Sequence, residues 1–207
     1  MIKLYGLRMS NYYSLVKATM IEKGLDFEEV KAPPTQKDDN LARSPMGKMP
    51  SIEVNGQYIS ESLAIVSYLE RAHPETTLLP ADPLEAAKAL ELALHIKLDV
   101  ELVARRLLPA AMFGGTASDE LIETTRQDVA RGMQAVSQLM VCKPYAAGAE
   151  FSLADLYTYY SMGLASAIGQ KMFGAELLAD YPQIRELMAN LATRPSIAQV
   201  TAEAAAK

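Results

Sequence analysis

Ser44-Pro45-Met46-Gly47-Lys48-Met49-Pro50-Ser51-Ile52-Glu53-Val54-Asn55-Gly56-Gln57-Tyr58-Ile59-Ser60-Glu61-Ser62 is the stretch on which the fold turns. Asn55-Gly56 sits between two short β-prone runs, Ser51–Val54 and Gln57–Ile59, and such a pair predicts a two-residue hairpin. Pro50 cannot donate to a sheet ladder, so it marks the start of a strand, and a cis peptide is compatible with that place. Ser60-Glu61-Ser62 leaves the hairpin and opens a helix carried by Leu63, Ile65, Val66 and Leu69. Upstream, Ile2–Tyr5 alternates as a strand, Tyr12 to Lys23 reads as a helix stopped by Gly24, and Phe27–Val30 reads as a second strand. A polar loop from Ala32 to Asn40 contains Pro33-Pro34. The expected order is βαβαββα, a small α/β unit.

Beyond residue 78 the character changes. Thr77–Pro83 carries two prolines, and Asp82-Pro83 pairs a capping side chain with a first-turn proline. A helical pattern then runs from Leu84 to about Phe113, bent near Pro109 and ended by Gly114-Gly115. Further helices fit Ser118–Met140, Leu153–Ile168, Ile184–Leu191 and Ser196–Ala206. The expected organisation is residues 1–78 as the α/β domain, 79–84 as linker and 85–207 as an all-helical domain. Within the latter, Ser152-Leu153-Ala154-Asp155 has the form of a capping box, with Phe151 and Leu156 at the staple positions.

The 207 residues are 50% hydrophobic and 22% charged, which fits a globular chain rather than disorder. A formal net charge of −5 without a basic cluster argues against a nucleic-acid partner. No apolar run approaches the roughly 18 residues of a membrane span, and Met1–Gly6 lacks the features of a secretory leader, so a cytoplasmic location without membrane association is expected. One cysteine, Cys142, excludes an internal disulfide and a cysteine-built metal site. Glu91, His95 and Asp99 share a helix face but span roughly 12 Å of rise, too far for one ion, so no metal is expected.

Chemistry concentrates in the first unit. Ser10 stands between the first strand and the first helix, where a hydroxyl caps backbone N–H groups or donates to an anion at the positive end of the helix. Ser60-Glu61-Ser62 brings hydroxyls, backbone N–H groups and a carboxylate to the start of another helix, a combination suited to a zwitterionic amino-acid headgroup. Lys48 adds a cation beside Met49-Pro50. Each feature has a purely structural reading; their order and spacing carry the functional one.

The chain resembles the cytosolic glutathione S-transferases over essentially its whole length. Ser44–Val54 followed by Glu61-Ser62-Leu63-Ala64-Ile65 matches the family pattern NP-x-G-x-x-P-x-L, then (E/Q)S-x-A-I. Leu4-Tyr5-Gly6-(x)3-Ser10 aligns with the first strand and catalytic turn, and Phe151–Asp155 with the folding motif of the second domain. Arg194-Pro195-Ser196 recurs near family C-termini. The resemblance implies a thioredoxin-like N-terminal domain followed by a helical bundle, with glutathione as co-substrate, no permanently bound cofactor, and assembly as a homodimer.

It also implies roles. Ser10 would donate to the glutathione sulfur, with Asn11 as the alternative donor and Tyr5 a remoter one. Glu61 and Ser62 would bind the γ-glutamyl ammonium and carboxylate, the Met49 backbone presented by cis Pro50 would pair with the cysteinyl backbone, and Lys48 would meet the glycyl carboxylate. Tyr12, Tyr13, Arg106, Met112 and Phe113 are candidates for the wall of a hydrophobic electrophile site. The serine argues against the cysteine-type classes, and Ser10-Asn11-Tyr12 departs from the Ser-Ser-Cys pattern of maleylacetoacetate isomerases. The implied activity is addition of glutathione thiolate to a hydrophobic electrophile, a detoxification chemistry. A non-catalytic ligand-binding or interaction protein and a glutathione-dependent peroxidase are the alternatives.

Overall fold

The computed structural model describes residues 1–206 and divides into two compact units, Met1–Leu78 with Thr193–Lys207, and Leu79–Ala192.

The first unit is built on a four-stranded sheet with β1 (Ile2–Gly6), β2 (Phe27–Lys31), β3 (Ser51–Val54) and β4 (Gln57–Ser60) in the order β2-β1-β3-β4. β1 runs parallel to β2 and antiparallel to β3, and β3 and β4 form the expected hairpin. Its turn places Asn55 at φ 51° and Gly56 at φ 76°, the left-handed pair that a two-residue hairpin needs. Helices α1 (Asn11–Glu22), α2 (Asp38–Arg43) and α3 (Ser62–Ala72) complete the βαβαββα order. α2 begins within the polar stretch read as loop, where Asp38 and Asp39 occupy its first turn and favour its positive end.

Alternation divides the sheet into two faces. Leu4 and Ile52 are fully buried with Leu15, Val16, Ile65 and Leu69, and α1 packs on α3. On the opposite face Tyr5 stacks edge-on with Tyr58, lies under the Arg43 guanidinium at 5.2 Å, and donates to Glu53 Oε2 at 2.5 Å.

The second unit contains α4 (Pro83–His95), α5 (Leu102–Ala104), α6 (Leu108–Met112), α7 (Asp119–Leu139), α8 (Leu153–Tyr157), α9 (Gly163–Met172) and α10 (Pro182–Ala192). The long helical pattern from Leu84 is one rod whose winding changes: a π-helical segment, Ile96–Glu101, and a 3-10 turn, Arg105–Leu107, lie between its α-helical parts. α7 packs on the π segment at Gly132, where a Cβ would overlap the Asp99 carbonyl. Asp155 is fully buried; its carboxylate accepts from Ser152 N at 2.8 Å, completing the capping box, and from Ala146 N at 2.7 Å.

The last helix, α11 (Pro195–Ala205), falls in the same compact unit as Met1–Leu78. The reason is electrostatic as well as apolar. Arg194 makes a bidentate pair with Glu22 at 2.7 Å to each carboxylate oxygen, Ser196 donates to the same carboxylate, and Glu203 pairs with Lys17. No helix among the described residues is long and apolar enough to cross a membrane.

Candidate functional site

Three segments meet because of sheet register. Tyr5 of β1 lies opposite Ser51 of β3, which lies opposite Ser60 of β4. The end of β1, the start of β3 and the end of β4 therefore fall in one row across the sheet. The turn carrying Ser10, the Met49-Pro50 peptide and Glu61-Ser62 all emerge at that edge.

Ser10 is the N-cap of α1, with extended backbone at φ −83° and ψ 123°. Its Oγ accepts from Tyr13 N at 3.4 Å. A hydroxyl that accepts still has its own proton to give, so capping does not exhaust Ser10. The first turn of α1 holds no acidic residue, leaving the positive helix end without a side-chain carboxylate of its own. Asn11 and Tyr12 are half-buried at the start of the same helix.

Met49-Pro50 is a cis peptide, and Pro50 is buried directly before β3. Among the described residues no hydrogen bond engages the Met49 amide or carbonyl. Lys48 is exposed beside it. Glu61 caps α3 at φ 71° and ψ 119°, a left-handed conformation costly for a residue with a Cβ and concentrated at functional positions. It is exposed, whereas Ser62, the first residue of α3, is buried.

Tyr5 is not placed as a thiol donor. Its hydroxyl is committed to Glu53, and burial together with that hydrogen bond pushes its pKa above the usual phenol range. Tyr13, expected at the electrophile wall, is instead 2% exposed. Its ring packs on Gly6, where a Cβ would come within 2.5 Å of Tyr13 Cδ2, and its hydroxyl donates to Glu29 Oε2 at 2.6 Å. As the third helical residue after Ser10 it turns inward toward the sheet. Arg106 and Met112 have partners within the second unit: Arg106 pairs with Asp128 at 2.7 Å, and Lys171 Nζ lies 3.4 Å from Met112 Sδ. Phe113 is 66% exposed.

The sequence reading missed Glu29. It faces α1 from β2 and accepts from Tyr13, from Lys17 at 2.7 Å and from both Nε and Nη2 of Arg8. Burial alone would raise its pKa, but the hydrogen bonds from Arg8, Lys17 and Tyr13 prevail and hold it at about 2. A cavity of about 360 Å3 lies beside this group, lined by Gly6, Leu7, Arg8, Tyr13, Glu29 and Lys31. The only signal in the sequence was an acid at an inner position of a strand, which cannot be read before the register is known.

Cys142 is half-buried at φ 54°, and burial followed by the Asp155 charge raises its thiol pKa, so it lacks the thiolate character of a nucleophile. No cluster of metal-ligating side chains occurs among the described residues.

Residues 4–77 match the glutathione S-transferase N-terminal domain and residues 116–203 the corresponding C-terminal domain. A glutathione S-transferase of Pseudomonas putida is 38% identical over 203 residues, covering 98% of this chain and 92% of its own. The chain is a glutathione S-transferase.

Solved structures agree with that assignment. A glutathione S-transferase from Rhodospirillum rubrum superposes with a TM-score of 0.79 at 26% identity, over 97% of this chain and 91% of that one. One from Methylobacterium radiotolerans, solved in complex with glutathione sulfonate, shares the fold with a TM-score of 0.80 at 23% identity, over 96% and 93% of the two chains. In this glutathione S-transferase the sheet edge that gathers Ser10, Met49-Pro50 and Glu61-Ser62 lies in the unit matched by the N-terminal domain.

Proposed function

We propose that the protein adds the glutathione thiolate to a hydrophobic electrophile, with the Ser10 hydroxyl donating a hydrogen bond to the sulfur. On this reading glutathione lies as an extra strand along the edge at Met49-Pro50, its γ-glutamyl group at Glu61-Ser62 and its glycyl carboxylate toward Lys48. Asn11 flanks the sulfur. Tyr12 is the side chain that the first unit offers to the electrophile, and Tyr13 supports the turn from behind.

The observation that carries this reading is the row Tyr5–Ser51–Ser60, because it brings three separated motifs to one edge. The energetics are sufficient without a metal or an imidazole. A free thiol has a pKa of about 8.5, so little is ionised at neutral pH. Lowering it by about two units requires roughly 2.7 kcal/mol of differential stabilisation. A hydrogen bond to a charged acceptor contributes about 1.5–3 kcal/mol, and a helix N-terminus about 0.3–2 kcal/mol. The thiol proton leaves to solvent as the sulfur settles against Ser10.

A homodimer in the cytoplasm is part of the same proposal. Leu94, Leu98 and Leu102 recur every four residues on the rod that begins with α4, and they are 37%, 49% and 40% exposed, an apolar stripe suited to a second copy.

Retention on immobilised glutathione, followed by turnover of a generic aromatic chloride, tests the activity. Retention with conjugation is expected. Retention without turnover across a panel of electrophiles would replace the enzyme reading with that of a binding protein.

A further inference from the structure

Glu29 binds both limbs of the turn that bears Ser10. From the strand side, Arg8 precedes Ser10 by two residues and donates Nε and Nη2 to the Glu29 carboxylate at 3.2 and 2.8 Å. From the helix side, Tyr13 donates its hydroxyl to the same carboxylate at 2.6 Å, while its backbone amide donates to Ser10 Oγ at 3.4 Å. The turn is cross-braced internally by Ser14 Oγ to the Arg8 carbonyl at 3.3 Å and Ser10 N to the Leu7 carbonyl at 3.0 Å. Lys17, 4% exposed along its side chain, joins Glu29 to Glu203 of α11. An inward-facing carboxylate on an edge strand would be costly if it stood alone. Here it gathers Arg8, Lys17 and Tyr13, and two of these belong to the segment carrying the sulfur donor.

We infer that Glu29 is a positioning residue for thiolate formation: by clamping Arg8 and Tyr13 on either side of Ser10, it fixes the direction in which the Ser10 hydroxyl points. This rests on the reading of Ser10 as the sulfur donor. Misplacement of a reacting or donating group by about 1 Å can cost on the order of a hundredfold in rate, so loss of the clamp acts at a distance from the sulfur.

The sign of the effect separates this role from a direct electrostatic one. Removing a negative charge near a thiolate would by itself lower the thiol pKa. Loosening the Ser10 turn raises it. The experiment compares the bound glutathione thiol pKa, from thiolate absorbance against pH, in wild type, Glu29→Ala, Glu29→Gln, Tyr13→Phe, Ser10→Ala and the Ser10→Ala/Glu29→Ala double variant. Steady-state kinetics and unfolding midpoints accompany each.

Glu29→Ala is expected to raise the thiol pKa by about one unit, a tenfold loss of thiolate, and to lower kcat while KM for glutathione stays within about twofold. Glu29→Gln and Tyr13→Phe, which keep part of the clamp and fold more readily, should shift it in the same direction by less. The double variant should match Ser10→Ala alone, because the two act through one hydroxyl. Glu70→Gln serves as a control: Glu70 holds the buried Lys23 at 2.8 Å and the Leu78 amide at 3.0 Å, and its loss should lower the unfolding midpoint without moving the thiol pKa.

A lowered or unchanged thiol pKa in the Glu29 variants, with Ser10→Ala still raising it, would overturn the positioning role and leave Ser10 as donor. Additive shifts in the double variant would also overturn it. An unchanged pKa in Ser10→Ala would remove the donor itself, whatever Glu29 does.

Discussion

The Tyr13 backbone amide donates to the Ser10 hydroxyl oxygen at 3.4 Å, so the residue that caps α1 has its proton free while its oxygen is held in place. Structural and chemical roles, which look like competitors in the sequence, use different parts of one side chain. A capping serine that accepts from the helix and gives outward is oriented by the helix it starts.

Gly132→Ala runs against intrinsic preference. Alanine is the better helix former by about 1 kcal/mol, yet a Cβ at this point of α7 would overlap the Asp99 carbonyl of the π segment. Backbone cannot give way as a flexible side chain does. A net loss of about 1–3 kcal/mol is expected from the forced separation, read as a lower urea midpoint; an equal or higher midpoint would show that the two segments tolerate being parted.

Asp155 and Ser152 differ in what they leave behind. Removing the Asp155 carboxylate orphans the Ser152 and Ala146 amides in a buried site, each at about 1–3 kcal/mol. Ser152→Ala removes the cap and the Ser152 Oγ donation to Asp155 Oδ2 at 3.2 Å but leaves both amides paired, at about 1 kcal/mol. Urea denaturation should therefore rank Asp155→Ala well below Ser152→Ala in stability. Equal midpoints would reject the ranking.

Much of this was legible beforehand. Asn55-Gly56, Pro50 and the Asp82-Pro83 start depend on local φ and missing N–H groups, and local chemistry is what a sequence states directly. The three clusters of the candidate site were readable for the same reason, since each sits at an element boundary. Glu29 was not, because its meaning depends on which face of β2 points toward α1, and that is fixed only by pairing Leu4 with Glu29. Tyr13 was misjudged for a related reason: its place on the inner side of α1 follows from Gly6 admitting its ring. The affiliation of α11 with the first unit rests on Arg194–Glu22 and Glu203–Lys17, pairs more than 170 residues apart.

Acid should loosen the first unit through Glu29. Its pKa is about 2 in the folded protein against an ordinary value of 4.5. A depressed carboxylate contributes stability that is fully present above the unfolded pKa and lost as pH falls through the folded one. The loss should develop between about pH 5 and pH 2 in urea denaturation followed against pH. Glu29→Gln should flatten that slope without abolishing it, since Glu203 and Glu53 are also held below the usual range. An unaltered slope would show that Glu29 is no more acidic folded than unfolded.

Leu98→Glu tests the proposed self-association. A charge in the centre of the Leu94–Leu98–Leu102 stripe should convert a dimer to a monomer in sedimentation velocity, because an unpaired charge buried at an interface costs several kcal/mol. Unchanged sedimentation of the variant as a dimer would move the interface elsewhere.

The most direct measurement is the thiolate absorbance of bound glutathione titrated in the wild type and in Ser10→Ala. Loss of one charge-assisted hydrogen bond of about 1.5–3 kcal/mol should raise the bound thiol pKa by roughly one to two units. Superimposable titration curves would contradict the assignment of the sulfur to Ser10.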